Sequence, residues 1–221
     1  MSWYLGPLAT LDFETTGVDP HTDRILSFAA LGTVGDLVGY ANPGVPIPER
    51  SSQVHGITAA DLADEPPSRV ALEPVLQWIA DVIAAGDGLV VYNAPYDLTM
   101  LRAEAQRLGL VQPAWERLRV VDPLVLDWVV DRYRRGKRTL TATAQHYGVL
   151  LDDAHNAQAD AIAARELARA IGAKYSQIGD LSLADLAQAQ CGWFRDKTVS
   201  WNEWAATKGR RLDDPSCWPY A

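Results

Sequence analysis

The order of hydrophobic patterns along the chain is the feature that most limits its fold. Three short apolar segments come first, at Leu8 to Phe13, Ile25 to Gly32 and Leu37 to Ala41, separated by turn-forming stretches. We expect them to be adjacent, antiparallel strands. Helical periodicity then alternates with short apolar strands, beginning with VALEPVLQWIADVIAA and LVVY. This order predicts an α/β fold with a mixed central sheet flanked by helices.

The same alternation continues towards the C-terminus. Its predicted elements are a helix in PYDLTMLRAEAQRLGL, a strand end in LRVVDP, and helices over Pro123 to Arg132, Leu140 to Tyr147 and Ala157 to Ile171. After these, a short helix near Leu183 to Gln190 is followed by a stretch rich in tryptophan and charge. We therefore expect one main domain over residues 1–172 and a helical, Trp-rich C-terminal appendage over residues 173–221 that docks back on it.

The composition is that of a protein with a substantial core, since 48% of the 221 residues are hydrophobic. The N-terminus lacks the pattern of a signal peptide, and no apolar run approaches the roughly 18 residues of a membrane span. A soluble, cytoplasmic protein with no membrane partner is expected. Cys191 and Cys217 lie far apart without metal-type spacing, which favours two thiols over a disulfide.

The formal net charge of −8 argues against a broad basic face that grips duplex nucleic acid. It does not exclude a nucleic-acid enzyme. Carboxylates that hold divalent cations add negative charge themselves, and the bound ions reverse the local field where a phosphate arrives.

Two acidic residues end the first predicted strand, in the run LDFETTG. Asp12 and Glu14 are two positions apart, so both side chains project from one face at the carboxyl end of the strand, where sites tend to form. Neighbouring carboxylates repel unless they share a cation, although a solvated pair would have the same spacing. Thr15, Thr16 and the flexible Gly17 follow, which favours close approach of a ligand to the backbone.

A third carboxylate follows a later strand, in YNAPYDLTML. The strand LVVY ends at Asn93, and Pro95 suits the first turn of the helix that carries Asp97. This order places Asp97 at the carboxyl edge of the same sheet. An aspartate near a helix start also complements the helix dipole, so this motif alone leaves a structural role open.

The third motif, HNAQADAIAARELARAI, puts His155 before a helix and Asp160 within its first turns. A histidine beside metal-ligating carboxylates can take a proton from water near neutral pH, which suits a general base. The same two residues could instead cap the helix and complement its dipole.

Together, DFETTG, NAPYD and HNAQAD resemble the three motifs of the DEDD exonuclease superfamily, in the family's order and over roughly residues 6 to 172. The DEDDy branch has a tyrosine four positions before the last aspartate, where this chain has Asn156. His155 stands five positions before Asp160, so the chain resembles the DEDDh branch, which includes the DnaQ-like epsilon proofreading subunits of bacterial DNA polymerase III. The resemblance implies a ribonuclease H-like fold and a 3′–5′ exonuclease.

The resemblance also implies a mechanism. Asp12, Glu14, Asp97 and Asp160 would hold two Mg²⁺ or Mn²⁺ ions, which position the attacking water and stabilise the leaving 3′ oxygen. His155 would accept the proton of the water. The products would be nucleoside 5′-monophosphates.

Substrate contacts are implied at four further residues. The 3′ hydroxyl of the terminal nucleotide is expected beside the backbone of Thr15 and Thr16, in a closed pocket that would account for cleavage at the chain end. The stretch VHGIT resembles a family segment at the rim of the site, so His55 is a candidate contact. Asn93, in the second motif, is another.

The substrate and partners stay open at this level. The leading hypothesis is a 3′–5′ exonuclease that acts on single-stranded DNA or a frayed primer end, alone or with a DNA polymerase or other replication protein. A 3′–5′ exoribonuclease of the oligoribonuclease or RNA-trimming type uses the same catalytic set, and no residue separates the two. The third alternative is a non-catalytic binding module, although all five catalytic positions carry competent residue types.

Two segments indicate contacts outside this site. The run DRYRRGKR, residues 131 to 138, could bind backbone phosphates or form a solvated helix end. Aromatic residues of the C-terminal segment could stack on bases, dock a partner or belong to the core. They are Trp193, Phe194, Trp201, Trp204 and Trp218.

Overall fold

A five-stranded mixed sheet forms the centre of the computed structural model, which describes residues 2–220. The strands are β1 Leu8–Thr15, β2 Ile25–Leu31, β3 Leu37–Tyr40, β4 Gly88–Val90 and β5 Arg119–Val121. In the order β3-β2-β1-β4-β5, the first three strands are antiparallel, and β4 and β5 extend the other side of β1 in parallel. The predicted antiparallel trio and mixed sheet are confirmed.

Eight α-helices accompany the sheet within residues 2–220. They are α1 Glu49–His55, α2 Ser68–Ala85, α3 Ala94–Leu108, α4 Pro123–Val130, α5 Leu140–Tyr147, α6 Ala157–Lys174, α7 Ser176–Gly179 and α8 Leu183–Thr207. Short 3₁₀ turns lie at Trp3–Leu5 and Trp115–Arg117. The sequence predicts α2 to α6 with small errors at their ends, misses α1 and the four-residue α7, and differs from the structure in the length of α8.

The alternation of side chains along β1 assigns different helices to the two faces of the sheet. Leu11 packs with α2 and α3, while Leu8 packs with α4, α6 and α8 on the opposite face. Thr10 shares the face of Leu8, and its hydroxyl donates to a carbonyl of α6 at 2.8 Å. The same alternation turns Asp12 and Glu14 towards α6, which sets the position of the acidic pair.

Helix α1 is missing from the sequence prediction. None of its residues is buried, so no apolar periodicity marks it. It ends at Gly56, whose φ of 76° is the left-handed conformation that glycine adopts easily. Ser51, within α1, donates a hydrogen bond to the carbonyl of Thr16. The helix therefore packs over the end of β1, and it brings His55 towards the acidic pair.

The C-terminal segment also differs from its prediction. The short helix expected near Leu183 to Gln190 continues without a break to Thr207. Ser182 caps it by accepting from the N–H of Asp185 at 3.1 Å. Packing on β5 and α4 sustains this helix through Gly192, where local propensity is poor. Most of the Trp-rich stretch is therefore helical.

Two findings concern the predictions made from composition. Cys191 is exposed and Cys217 is half-buried, and both are free thiols. Within residues 2–220, no helix combines the length and the apolar character that crossing a membrane requires.

Candidate active site

The acidic pair lies where β1 outruns its parallel neighbour. Pairing of β1 with β4 ends at Thr10, and the register with β2 shifts between Glu14 and Thr15. The carboxylates therefore lie beyond the carboxyl end of β4, in the crevice where α/β sheets commonly bind ligands. Both Asp12 and Glu14 are half-buried.

Helix α3 brings Asp97 to the same crevice. Asn93 has a φ of 60°, and this left-handed residue turns the chain from β4 into α3. Asp97 is only 3% exposed, and its carboxylate accepts from the N–H of Phe13 at 3.2 Å. Since Phe13 lies between the two acidic residues of β1, this bond ties the start of α3 to the centre of the acidic pair.

A buried carboxylate that the sequence analysis missed supports the turn before α3. The two oxygens of Asp122 accept from the N–H groups of Asn93 and Ala94, each at 3.0 Å. Asp122 also caps α4 by accepting from the N–H of Leu124, and its own N–H donates to Gln190 of α8 at 2.8 Å. The sequence signal for the capping role of Asp122 was the proline that directly follows it, because aspartate before proline is a frequent helix start.

The third motif faces the acidic pair from the start of α6. The N-cap is Asn156, whose side chain accepts from the N–H groups of Gln158 and Ala159. His155 precedes the cap with a φ of 72°, a conformation that costs a non-glycine residue about 1 to 3 kcal/mol. Its N–H donates to Oδ2 of Asp160 at 3.2 Å. This bond holds the histidine beside the acidic residues.

Glu14, His155 and Asp160 meet closely enough to share a cation. One ligand atom of each lies within 4.8 Å of the others. Oδ1 of Asp160 is buried and has no hydrogen-bond partner among the described residues, so a strong acceptor is left for a ligand. Asp12 and Asp97 interact electrostatically with members of this group. They are not among the three residues whose ligand atoms lie within 4.8 Å of one another. The carboxylate oxygens gathered here fit a hard divalent ion such as Mg²⁺ or Mn²⁺.

Burial raises the pKa of all four carboxyl groups, and repulsion between them adds to the effect at Asp12, Glu14 and Asp97. At Asp12, burial is the main cause, the charges of Asp97, Asp160 and Glu14 add to it, and the pKa lies well above its usual value. Burial and the charge of Asp160 raise the pKa of Glu14 to about 8. Burial also raises the pKa of Asp97 and of Asp160, against the opposing effect of backbone N–H groups.

None of these four residues forms an ion pair with a lysine or arginine within residues 2–220. Without a cation, the ionised forms would repel one another in a partly desolvated crevice. Titratable groups that are perturbed in this way and face a cleft indicate a functional site, here one that binds a cation.

Two pockets open beside Glu14 and His55, and both residues line both pockets. The first has a volume of about 460 Å³ and is also lined by Thr15 and Arg50. The second, of about 180 Å³, includes His155. Nε2 of His55 is buried without a hydrogen-bond partner in the described part of the chain, and burial lowers the pKa of this residue. A neutral imidazole therefore faces the pockets near neutral pH.

The other candidate substrate contacts are Thr15, Thr16 and Asn93, and they differ in whether their side chains already have partners within the protein. The Thr15 hydroxyl donates to the carbonyl of Gly17 at 2.8 Å, and the Thr16 hydroxyl donates to the carboxylate of Asp23 at 2.9 Å. Both hydroxyls are thus engaged within the protein. Asn93 lines a third pocket, of about 380 Å³, which adjoins the first.

Tyr96 borders the site, although the sequence analysis did not single it out. Its hydroxyl contacts that of Thr15 and donates to the carbonyl of Gly17 at 3.0 Å. Burial raises the pKa of Tyr96 to about 12, so the hydroxyl stays protonated. Its position directly before Asp97 in NAPYD was the available signal.

Comparison with known families assigns the chain. The RNase_T family, described as exonuclease, matches residues 10–168, a span that includes all three motifs and most of the chain. The chain belongs to the RNase_T exonuclease family. Its predicted membership of the DnaQ-like 3′–5′ exonucleases is thereby confirmed.

Similar proteins of this exonuclease family include subunits of a DNA polymerase. The DNA polymerase III subunit epsilon of Rickettsia prowazekii is 31% identical over 124 residues, which cover 52% of this chain and 52% of the relative. An epsilon-like protein of Rhodobacter capsulatus is 34% identical over 169 residues, covering 70% of this chain and 22% of the relative. The chain thus spans about half the length, or less, of these curated relatives.

Solved structures of exonucleases share the fold. E. coli exonuclease I in complex with single-stranded DNA matches with a TM-score of 0.66 and 19% identity, over 79% of this chain and 42% of that chain. Exonuclease X in complex with 5′ overhanging duplex DNA matches with a TM-score of 0.54 and 20% identity, over 81% of this chain and 99% of that chain. At such identities the likeness concerns the fold, and the predicted ribonuclease H-like α/β architecture is confirmed.

Proposed function

We propose that this RNase_T exonuclease shortens single-stranded DNA from its 3′ end at a DEDDh active site. The observation that carries the proposal is the group of four carboxylates, Asp12, Glu14, Asp97 and Asp160, which lies against His155 without a lysine or arginine partner among the described residues. Uncompensated buried acids oppose folding, so their presence supports a metal-dependent hydrolytic role better than a structural one.

The four carboxylates would hold two Mg²⁺ or Mn²⁺ ions, since both ions prefer hard oxygen ligands. Bound divalent ions supply an acidified water and stabilise charge on the leaving 3′ oxygen. Asp160 has its unpartnered Oδ1 to offer, within reach of an oxygen of Glu14. Asp97 keeps a second oxygen beyond the one that accepts from the N–H of Phe13.

His155 would accept the proton of the attacking water. It is exposed at the rim, and one of its ring nitrogens lies within 4.8 Å of oxygens of Glu14 and Asp160. The unprotonated nitrogen of an imidazole can accept a proton from water, which suits a general base. The hydrogen bond from its N–H to Asp160 restrains the backbone, so the ring stays beside the carboxylates.

The terminal nucleotide would occupy the 460 Å³ pocket. Its 3′ hydroxyl would lie by Glu14 and contact Thr15 and Thr16 through backbone atoms, because their hydroxyls are already engaged. His55 would contribute its free Nε2, and Asn93 would contact the strand from the adjoining pocket. Helix α1 walls the first pocket, which supports removal of terminal nucleotides over internal cleavage.

The similar proteins support DNA as the substrate. The names of the relatives refer to a DNA polymerase, and the exonuclease I complex contains single-stranded DNA. The likeness to epsilon subunits also supports association with a DNA polymerase or another replication protein. In this proposal residues 1–172 form the exonuclease domain and residues 173–221 the C-terminal appendage. RNA is the alternative that the assay must separate.

The test is the cleavage of 5′-labelled DNA and RNA oligonucleotides of one sequence, each with Mg²⁺, Mn²⁺ or EDTA. We expect DNA products that shorten stepwise from the 3′ end with either metal and none in EDTA. His155→Gln should lower the rate about 100-fold or more while the protein still folds and binds Mn²⁺. Intact oligonucleotides under every metal condition contradict the proposal, and faster RNA shortening contradicts the choice of DNA.

A matched variant controls for the histidine. His21 is also a histidine but lies away from the carboxylates, in the loop before β2, so His21→Gln should keep the wild-type rate. If His155→Gln is as active as His21→Gln, then His155 is not the base.

A further inference from the structure

The outer half of α8 exposes two tryptophans side by side. Trp201 is 39% exposed and Trp204 is 43% exposed, and their ring centroids are 4.8 Å apart with 41° between the planes. Large aromatic side chains stabilise a fold or a complex when they are buried. Two indoles that are exposed side by side therefore indicate a binding surface. The exonuclease site does not use these residues.

Cations stand directly beside the indole pair. The guanidinium of Arg210 lies over the Trp204 ring, 5.0 Å from its centroid. Arg211 follows in the chain and is exposed, and neither arginine forms an ion pair with a carboxylate within residues 2–220. Aromatic faces interleaved with unpaired cations are the chemistry that binds single-stranded nucleic acid, through base stacking and phosphate contacts.

The fold holds these arginines in place. After α8 the chain turns back, and Asn202 makes two hydrogen bonds to the backbone of Asp213, at 2.8 and 2.9 Å. Further along, Trp218 packs on Phe194 of α8, with ring centroids 5.4 Å apart. These contacts hold the segment that follows Arg210 and Arg211 against α8. The two arginines are therefore kept in a defined position.

A continuous path leads from the carboxylates to this surface. Val18 and Tyr96 line the 460 Å³ pocket beside Glu14, and they also line the adjoining pocket of about 380 Å³. Lys197 and Arg211 also line this pocket of about 380 Å³. Arg210, whose guanidinium lies over the Trp204 ring, directly precedes Arg211 in the chain.

Two carboxylates, Asp213 and Asp214, also line the 380 Å³ pocket, and each has partners within the protein. Asp214 accepts hydrogen bonds from the N–H and the hydroxyl of Ser216, at 2.8 and 2.7 Å. Asp213 lies near the ammonium group of Lys197. The phosphate contacts therefore belong to the arginines on the outer side of the pocket.

We propose that Trp201, Trp204, Arg210 and Arg211 form a second binding surface for single-stranded nucleic acid. It holds the part of the strand that leads away from the terminal nucleotide, and in this respect it rests on the proposed exonuclease function. Bases stack on the two indoles, while the arginines contact the phosphates between them. The surface adds affinity for long strands and leaves the chemistry at the carboxylates unchanged.

Fluorescence anisotropy with labelled oligothymidylate in EDTA tests the surface without cleavage. The variant Trp201→Ala/Trp204→Ala should bind a long strand at least about tenfold more weakly than the wild type. Arg210→Gln/Arg211→Gln should also weaken binding and reduce the slope of log affinity against log salt by about 1. Tyr133→Ala is the matched control, because Tyr133 is an aromatic residue that is 88% exposed within the other basic run, and it should bind as the wild type does.

A dinucleotide with Mn²⁺ separates this inference from the exonuclease proposal. Its terminal nucleotide occupies the 460 Å³ pocket and the other ends in the adjoining pocket, short of the indoles, so the wild type and Trp201→Ala/Trp204→Ala should cleave it at equal rates. Loss of long-strand affinity in the tryptophan variant without any cleavage by the wild type supports the surface and contradicts the exonuclease. Equal long-strand affinity of the wild type and both folded double variants overturns the surface, whatever the cleavage result.

Discussion

Two of the regions that hold buried or half-buried carboxylates differ in whether the chain provides cations for them. At the ends of β1, α3 and α6 that form the candidate active site, four acidic residues meet without a lysine or arginine partner in the described part of the chain. Between α4 and α5, Asp127 is fully buried. Arg134 binds it at 2.9 Å, Arg138 binds it as well, and the hydroxyl of Tyr147 donates to it at 3.0 Å.

The difference distinguishes an acid that serves the fold from acids that serve chemistry. Asp127 has its counter-charges within the chain, so removal of the carboxylate leaves buried cations unpaired. Removal of an active-site carboxylate instead relieves repulsion. The basic run 131–138 belongs largely to the Asp127 region, because Arg134 and Arg138 face Asp127 and Arg132 lies over the Trp128 ring at 4.9 Å. This favours the structural alternative for that run.

The comparison is tested most strongly by Asp12→Asn. Loss of one metal-ligating carboxylate should lower the cleavage rate at least about 1,000-fold, since transition-state charge loses its stabilisation. The melting temperature of the metal-free variant should equal or exceed that of the wild type, because one repelling charge is gone. Steady-state rates and thermal unfolding in EDTA measure both. A rate within tenfold of the wild type would mean that Asp12 is not part of the catalytic centre.

Asp127→Asn should give the opposite result. The free energy of unfolding should fall by about 3 to 5 kcal/mol, because Arg134 and Arg138 lose their buried partner. The cleavage rate per folded molecule should stay near that of the wild type. Urea unfolding measures the stability, with Asp64→Asn as an exposed control that should change it by less than about 0.5 kcal/mol. A loss below about 1 kcal/mol contradicts the structural role of Asp127.

A smaller effect is expected from pH. Glu14 has a pKa near 4.5 when unfolded and about 8 in the folded protein, so the folded state binds more protons between these values. The contribution of Glu14 to the stability of the metal-free protein is therefore fully present below about pH 4.5 and declines as the pH rises towards 8. The raised pKa of Asp12 and of Asp97 acts in the same direction.

Urea unfolding across this pH window, in EDTA and in excess Mn²⁺, measures the effect. Mn²⁺ should remove most of the decline, because bound cations stabilise the ionised carboxylates. Glu14→Gln should show a shallower decline than the wild type in EDTA. A stability that does not decline in EDTA, or that declines equally in Mn²⁺, contradicts the account of uncompensated acids.

The acidic site could be predicted because each motif follows the end of a regular element. Asp12 and Glu14 share a face through the two-residue period of β1, and the parallel pairing of β1 with β4 brings the start of α3 to the same edge. His155 and Asp160 flank the start of α6, which packs on β1. Local patterns and topology therefore define this region without knowledge of side-chain packing.

The supporting contacts could not be predicted, because they join residues that are distant in sequence. Asp122 binds Asn93 across 29 positions, and Gln190 binds Asp122 across 68. Helix α1 has no buried residue that would give it a period, and α8 extends past Gly192 through its packing on α4 and β5. Propensity and periodicity report short-range preferences, whereas these features depend on the assembled fold.

Calorimetric titration of Mn²⁺ into the wild type, Asp12→Asn and Asp127→Asn tests the central claim most directly. The uncompensated acids should give the wild type a saturable binding signal, which Asp12→Asn loses and folded Asp127→Asn retains. No saturable binding by the wild type, or equal binding by Asp12→Asn, would contradict the assignment of the acidic crevice as the metal site.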